Sequence, residues 1–99
     1  MTITEQRSRD AIELVISGRL DTSTSPELEN KLKQITGQAQ TLYLNMQNIE
    51  YISSSGLRAV LLAHKLMLPS GGKMIIKSPS SFCSQVLAAT GMDSILNIE

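Results

Sequence analysis

IEYISSSGL, residues 49–57, is the segment of this 99-residue chain that best indicates its fold. It joins an apolar strand pattern, led by Leu42 and Leu44, to an apolar helix pattern that continues through Val60. The hydroxyls and the glycine therefore fall in the turn Ser53–Gly56, between a strand and a helix. The first N–H groups of such a helix are unpaired and carry partial positive charge, which suits an anion or a reactive hydroxyl.

The rest of the chain divides into short strands and amphipathic helices. The predicted strands are residues 2–7, 11–17, 41–46 and 73–77, and a short last strand formed by Ile95, Leu96 and Ile98. The first predicted helix begins at Thr24 or Ser25 and stops near Gly37, and the second spans residues 57–68. The third begins at Ser80 or Ser81, ends at Gly91 and carries Phe82, Val86 and Ala89. The order ββαβαβαβ indicates one α/β domain over residues 1–99: an N-terminal hairpin and a mainly parallel sheet, with three helices covering it through right-handed crossovers.

The composition excludes several classes of function. With 41% hydrophobic and 18% charged residues and a net charge of +0, the chain predicts a globular protein without a basic field for nucleic acid. One cysteine and one histidine can form neither a disulfide nor a structural zinc site, so no metal or cofactor is expected. No apolar run is long enough to insert into a membrane, and we expect a cytoplasmic protein.

The hydroxyls of Ser53, Ser54 and Ser55 fit more than one role. Serine is a good helix cap, and local chemistry alone does not separate a cap from a functional hydroxyl. A serine hydrolase is the rival interpretation, but the sequence lacks the Gly-x-Ser-x-Gly elbow. His64, the only histidine, lies nine positions after Ser55, roughly 13 Å along the helix axis, which is too far for a general base.

Two further features place a site beside this turn. Asp21 lies in the segment 18–21 that follows the second strand, so it is expected at the same sheet edge as the serines, where open α/β sheets bind ligands. A carboxylate there can orient a phosphate-accepting hydroxyl and repel the phosphate once it has formed. The helix 57–68 is apolar almost all round, which is compatible with a central core helix or with a helix that docks a partner.

The chain resembles the STAS domain family, named for sulfate transporters and anti-sigma factor antagonists. Residues 18–21, GRLD, are similar to the Gly-x-Leu-Asp that ends the second strand of the family. Residues 44–57, LNMQNIEYISSSGL, resemble its strand-to-helix signature, usually Asp-Leu-Ser followed by Asp-Ser-Ser-Gly-Leu. Residues 87–92, LAATGM, resemble its closing helix and glycine.

The resemblance implies an anti-sigma factor antagonist that is not itself an enzyme. In the family, the serine directly before the glycine, here Ser55, is phosphorylated by an anti-sigma factor that is a serine kinase and supplies ATP and Mg²⁺. The unphosphorylated form binds that kinase and frees the sigma factor, and a separate phosphatase resets the switch. Other branches of the family act as subunits of transport complexes, such as lipid ABC-type transporters, or of stress-signalling complexes.

The expected partner surface combines the loop after the second strand with the serine turn and the helix that follows it. Its residues are Asp21, Thr22, Ser23, Ser53, Ser54, Gly56, Leu57 and Arg58, arranged around Ser55. The sequence departs from the family pattern at Asn45 and Ser53, where the family usually has aspartate. Both changes are predicted to remove a carboxylate near the acceptor.

Overall fold

The computed structural model describes all of residues 1–99, which form a five-stranded sheet and three α-helices in the predicted order. The elements are β1 Thr2–Arg7, β2 Ala11–Leu20, α1 Ser25–Ile35, β3 Thr41–Ile52, α2 Ser54–Met67, β4 Lys73–Lys77, α3 Ser81–Thr90, a 3₁₀ turn Met92–Ser94, and β5 Asn97–Ile98. Strand β1 runs antiparallel to β2, and the remaining neighbours are parallel. The predicted hairpin and mainly parallel α/β sheet are therefore confirmed.

The three helices lie on one face of the sheet. The strands follow one another in the order β1-β2-β3-β4-β5, so right-handed crossovers place every helix on the same side. Leu14 and Leu44 point to that side and are fully buried with Leu28 of α1 and Val60 of α2. None of the helices combines the length and the apolar composition that crossing a membrane requires. The opposite face of the sheet carries no helix.

Strands β2 and β3 are longer than predicted. They end at Leu20 and Ile52, whereas the sequence pattern predicted ends at residues 17 and 46. The pairing between them shifts register twice, which adds residues to β3 and breaks the two-residue alternation. Met46, Ile49 and Ile52 are all buried although they are three positions apart. The polar residues Gln47, Asn48 and Glu50 interrupt the apolar alternation, so the sequence pattern predicted no strand beyond residue 46.

Helix α3 packs on the core through Cys83 and Leu87 and not through the apolar residues Phe82, Val86 and Ala89 that the sequence places on it. Its buried residues are Cys83 and Leu87, while Phe82 and Ala89 are exposed and Val86 is only partly buried. Both sets follow helical spacing, and a helix of this length gives too few positions to separate them. Phe82 packs against the partly exposed ring of Tyr51 instead of entering the core.

Helix α3 begins and ends at the predicted residues, whereas the last strand differs from its prediction. Ser80 caps α3 through its side chain, and Gly91 ends that helix in the left-handed conformation at φ 74°. The last strand is shorter than predicted and contains only Asn97–Ile98. Ile95 is 56% exposed, because it leaves the 3₁₀ turn and does not join the sheet.

Candidate functional site

Strands β2 and β3 end side by side, which brings the two predicted loops together. Leu20, the last residue of β2, pairs with Ile52, the last residue of β3. The backbone N–H of Ser53 then donates to the Leu20 carbonyl at 3.0 Å. The loop 21–24 and the start of α2 therefore leave the sheet at the same edge.

Ser53 caps helix α2. Its Oγ accepts a hydrogen bond from the Gly56 N–H at 3.2 Å, and its carbonyl accepts one from the Leu57 N–H at 2.9 Å. The helix begins at Ser54 and not at Leu57, because the serine run forms the first helical turn and not a separate loop. Ser54 is exposed and its hydroxyl makes no hydrogen bond to the protein. Of the three serines, Ser53 thus has the cap role.

Gly56 allows α2 to approach the end of β2. A Cβ atom built on Gly56 would lie 2.5 Å from the Leu20 carbonyl oxygen and 2.9 Å from the Cγ1 of Ile52. Real Cβ atoms essentially never come this close to a backbone oxygen. The glycine therefore sets how closely the serine turn sits against the neighbouring loop.

Asp21 fixes the shape of that loop. Its Oδ1 accepts hydrogen bonds from the Ser23 hydroxyl at 2.8 Å, the Ser23 N–H at 3.0 Å and the Thr24 N–H at 3.2 Å. These bonds, the Ser23 hydroxyl first, hold the pKa of Asp21 below its usual range. Thr24 does not cap α1 through its side chain, since its Oγ1 accepts the Asp21 N–H at 2.9 Å and donates to the Arg19 carbonyl at 2.8 Å. The carboxylate thus organises its own loop.

The hydroxyl of Ser55 lies between Thr22 and Arg58. The Oγ atoms of Ser55 and Thr22 are 3.1 Å apart, and the Nη2 of Arg58 donates to the Ser55 Oγ at 3.1 Å. Asp21, which was expected to orient this hydroxyl, makes no hydrogen bond to it, because its Oδ1 holds the loop and its Oδ2 faces Arg19 at 3.6 Å. No histidine or carboxylate bonds to Ser55, so the geometry provides no general base for a hydrolase.

Helix α2 is buried on one side and partly exposed on the other. Its buried residues are Gly56, Ala59, Val60, Ala63 and Met67. Leu57, Leu61, His64 and Leu68 follow one another at i, i+4, i+7 and i+11, and we call them the α2 stripe. The first three are partly exposed, Leu68 is 56% exposed, and the buried Nδ1 of His64 has no hydrogen-bond partner. The helix is therefore a core element with an apolar flank that begins beside Ser55.

A partly exposed aromatic cluster lies near the same edge and was not predicted. The Arg19 guanidinium stacks 4.2 Å above the Tyr51 ring, whose centroid is 5.7 Å from that of Phe82. Arg19 also faces Asp21, so the cluster adjoins the Asp21 loop. The sequence signal was weak: it required knowing that β2 and β3 both run past residues 17 and 46 and that Arg19 pairs with Tyr51.

Asn45 is not beside the candidate acceptor. It lies within β3 on the face of the sheet without helices, where its Nδ2 donates to Glu13 at 3.0 Å. The Nζ of Lys77 donates to the other Glu13 oxygen at 3.0 Å. The asparagine first and the lysine second hold the pKa of Glu13 below its usual range. The prediction that Asn45 removes a carboxylate near Ser55 is therefore wrong, because Ser55 follows the far end of this strand.

Comparisons with known proteins identify the family and the fold of the chain. A family model described as the STAS domain matches residues 2–99. The anti-sigma-B factor antagonist of Bacillus subtilis (strain 168) is 24% identical over 93 residues, which are 94% of this chain and 85% of that protein. The solved structure of the anti-sigma factor antagonist SpoIIAA in its unphosphorylated form has a TM-score of 0.84 at 19% identity, covering 99% of this chain and 88% of that one. The phosphorylated form of the Bacillus SpoIIAA has a TM-score of 0.77 at 19% identity, covering 99% and 91%.

These comparisons carry different weight. At 19% identity, the solved structures show a shared fold and no more. The family model is stronger evidence because it extends over nearly the whole chain, including the ends of β2 and β3 and the close of α3. The chain belongs to the STAS domain family.

Proposed function

We propose that this protein is an anti-sigma factor antagonist that binds an anti-sigma factor serine kinase and is switched off when the kinase phosphorylates Ser55. The observation that carries the proposal is the Ser55 hydroxyl, which is partly exposed and held between Thr22 and Arg58 where the loop after β2 meets the start of α2. The relative from Bacillus subtilis is an anti-sigma-B factor antagonist, and SpoIIAA is known in both phosphorylated and unphosphorylated forms. Both support the assignment.

In the phosphorylation of Ser55, this protein supplies the acceptor hydroxyl and the partner kinase supplies the catalytic groups. The Ser55 Oγ attacks the γ-phosphorus of ATP, an O–P bond forms, the bond to the bridging oxygen breaks, and ADP leaves. The hydroxyl proton passes to a base of the kinase, because the only side chains bonded to Ser55 are a threonine and an arginine. The kinase also supplies the Mg²⁺ that neutralises the transferring phosphate. This protein is the substrate and regulator in that reaction and not its catalyst.

The position of Ser55 explains how one phosphate would end binding. A phosphoserine carries about −1.5 to −2 charge, which a helix start accommodates without a change in the backbone. The α2 stripe begins two residues later at Leu57, so a partner that covers this flank would have to desolvate the phosphate. A phosphatase that removes the phosphate would restore the docking surface. We propose that the protein is cytoplasmic, because its proposed partners, the anti-sigma factor kinase and the phosphatase, act there.

Phosphorylation followed by peptide mass spectrometry tests the acceptor. The anti-sigma factor kinase that co-purifies with the chain from its own cells is incubated with Mg-ATP and the wild type, Ser55→Ala or Ser54→Ala protein. We expect one phosphate on Ser55 in the wild type and in Ser54→Ala, because the Ser54 hydroxyl is exposed and makes no hydrogen bond to the protein. The acceptor assignment is wrong if Ser55→Ala takes up phosphate as the wild type does.

A second candidate is a STAS subunit that binds its complex without phosphorylation, as in lipid ABC-type transport or stress signalling. The α2 stripe favours it, because an apolar flank can dock a partner whatever the state of Ser55. Isolation of the native complex separates the two. A transporter ATPase or a stress-signalling assembly in the complex, without a kinase and a sigma factor, would favour this second function.

A further inference from the structure

Arg58 is the only cation in direct contact with the Ser55 hydroxyl. It follows Ser55 by one helical turn on α2, and its Nη2 lies 3.1 Å from the Ser55 Oγ. The residue is exposed and takes part in none of the four ion pairs of the protein. Its remaining guanidinium N–H groups are therefore free of protein acceptors.

A guanidinium in this place suits a phosphate better than it suits a hydroxyl. Arginine presents parallel N–H groups that bind two oxygens of one phosphate, and such bonds are among the strongest that proteins make. A phosphate on Ser55 would place its oxygens beyond the Oγ that Arg58 already contacts. Thr22, on the other side of the Oγ, adds a hydroxyl donor.

We infer that Arg58 is a built-in ligand for the phosphate on Ser55, with Thr22 as the second contact. The inference rests on the proposed function, since it concerns the phosphorylated form of that site. Before phosphorylation, the free N–H groups of Arg58 are available to carboxylates of an acidic partner surface. After phosphorylation the guanidinium is engaged within the protein, so the modification removes a cation from the docking surface as well as adding an anion.

The other charged groups around the site do not compete for Arg58. Asp21 is engaged by its own loop and faces Arg19. Glu29 of α1 lines a shallow surface depression together with Arg58 and Lys65, but it forms no ion pair with either. Lys65, two turns further along α2, is exposed and makes a matched control for the loss of one positive charge.

Titration of the phosphate by ³¹P NMR tests the inference. Phosphoserine is installed at position 55 during translation, so no kinase is needed, in wild type, Arg58→Gln and Lys65→Gln backgrounds. A free phosphoserine has a second pKa of about 6. We expect this pKa in the wild type to be lower than in Arg58→Gln by about half a unit, because the guanidinium favours the dianion, with Lys65→Gln close to the wild type.

Two results would overturn the inference: equal phosphate pKa values in wild type and Arg58→Gln, or equal shifts in Arg58→Gln and Lys65→Gln. Unfolding in urea is a second measurement that needs no phosphoserine. Arg58→Gln should lower the midpoint more in a Ser55→Asp background than in the wild type, and equal effects would contradict the contact. If the kinase never modifies Ser55 but these results hold, the Arg58 contact stands and the proposed function fails.

Discussion

Gly56→Ala is the substitution whose effect follows most directly from the geometry. The added Cβ would lie 2.5 Å from the Leu20 carbonyl oxygen, 2.9 Å from the Ile52 Cγ1 and 3.0 Å from the Leu20 Cγ. The carbonyl cannot turn away freely, because it accepts the Ser53 N–H at 3.0 Å. The start of α2 must therefore move outward, away from the end of β2.

The expected change in the free energy of unfolding is the difference between an overpacking cost and a gain in helix propensity. Overpacking of a well-packed site costs up to about 3 kcal/mol, and three close contacts, one to a backbone atom, place this substitution near that limit. Alanine gains about 1 kcal/mol over glycine within a helix. We therefore expect the free energy of unfolding to fall by about 2 kcal/mol. The same outward movement should lengthen the contact of 3.1 Å between Ser55 and Thr22 and slow phosphorylation of Ser55.

Urea unfolding followed by circular dichroism measures the stability change, and Ser54→Ala is the matched control. Ser54 precedes Gly56 in the same helical turn but is exposed and makes no side-chain hydrogen bond, so its substitution should leave the midpoint nearly unchanged. A Gly56→Ala protein as stable as the wild type, or more stable, would refute the close approach of α2 to β2.

Other features of the structure give three further predictions. Ser53→Ala should lower the free energy of unfolding by about 1 kcal/mol in urea, because it removes the cap of α2; no change would mean that the cap contributes nothing. Burial raises the pKa of Cys83 to about 11, so Ellman's reagent at pH 8 should react far more slowly with folded than with urea-unfolded protein, and equal rates would contradict the burial. The pKa of Glu13 is lowered by Asn45 and Lys77, so its contribution to stability is present above its unfolded pKa of about 4.3 and is lost as the pH falls through the folded value. Glu13→Gln should therefore flatten the pH dependence of unfolding between about pH 3 and 5, and an unchanged slope would refute this.

The strand and helix order could be predicted from the sequence because each element carried a strong local signal. The helical spacing of Leu28, Leu32 and Ile35 is an example, and all three residues are buried as it implies. The second half of β3 could not be predicted, because register shifts against β2 break the alternation. The exposure of Phe82 could not be predicted either, because it depends on how α3 packs, which the spacing of so short a helix does not determine.

The sequence predicted which residues of the site lie near one another but not which of them form hydrogen bonds. The residues at the ends of β2 and β3 do lie together, since parallel strands end at one sheet edge. The sequence assigned Asp21 to the Ser55 hydroxyl, whereas Thr22 and Arg58 make the contacts. Asp21 bonds first to its own loop, a local preference of aspartate in turns that spacing alone does not reveal.

The central claim is that a phosphate on Ser55 separates this protein from its partner kinase. The most direct test is the dissociation constant of the complex, measured by calorimetry with unmodified protein and with protein that carries phosphoserine at position 55. We expect the phosphate to weaken binding by about 100-fold, or about 2.8 kcal/mol, since each factor of ten corresponds to about 1.4 kcal/mol. Equal affinity of the two forms would contradict it.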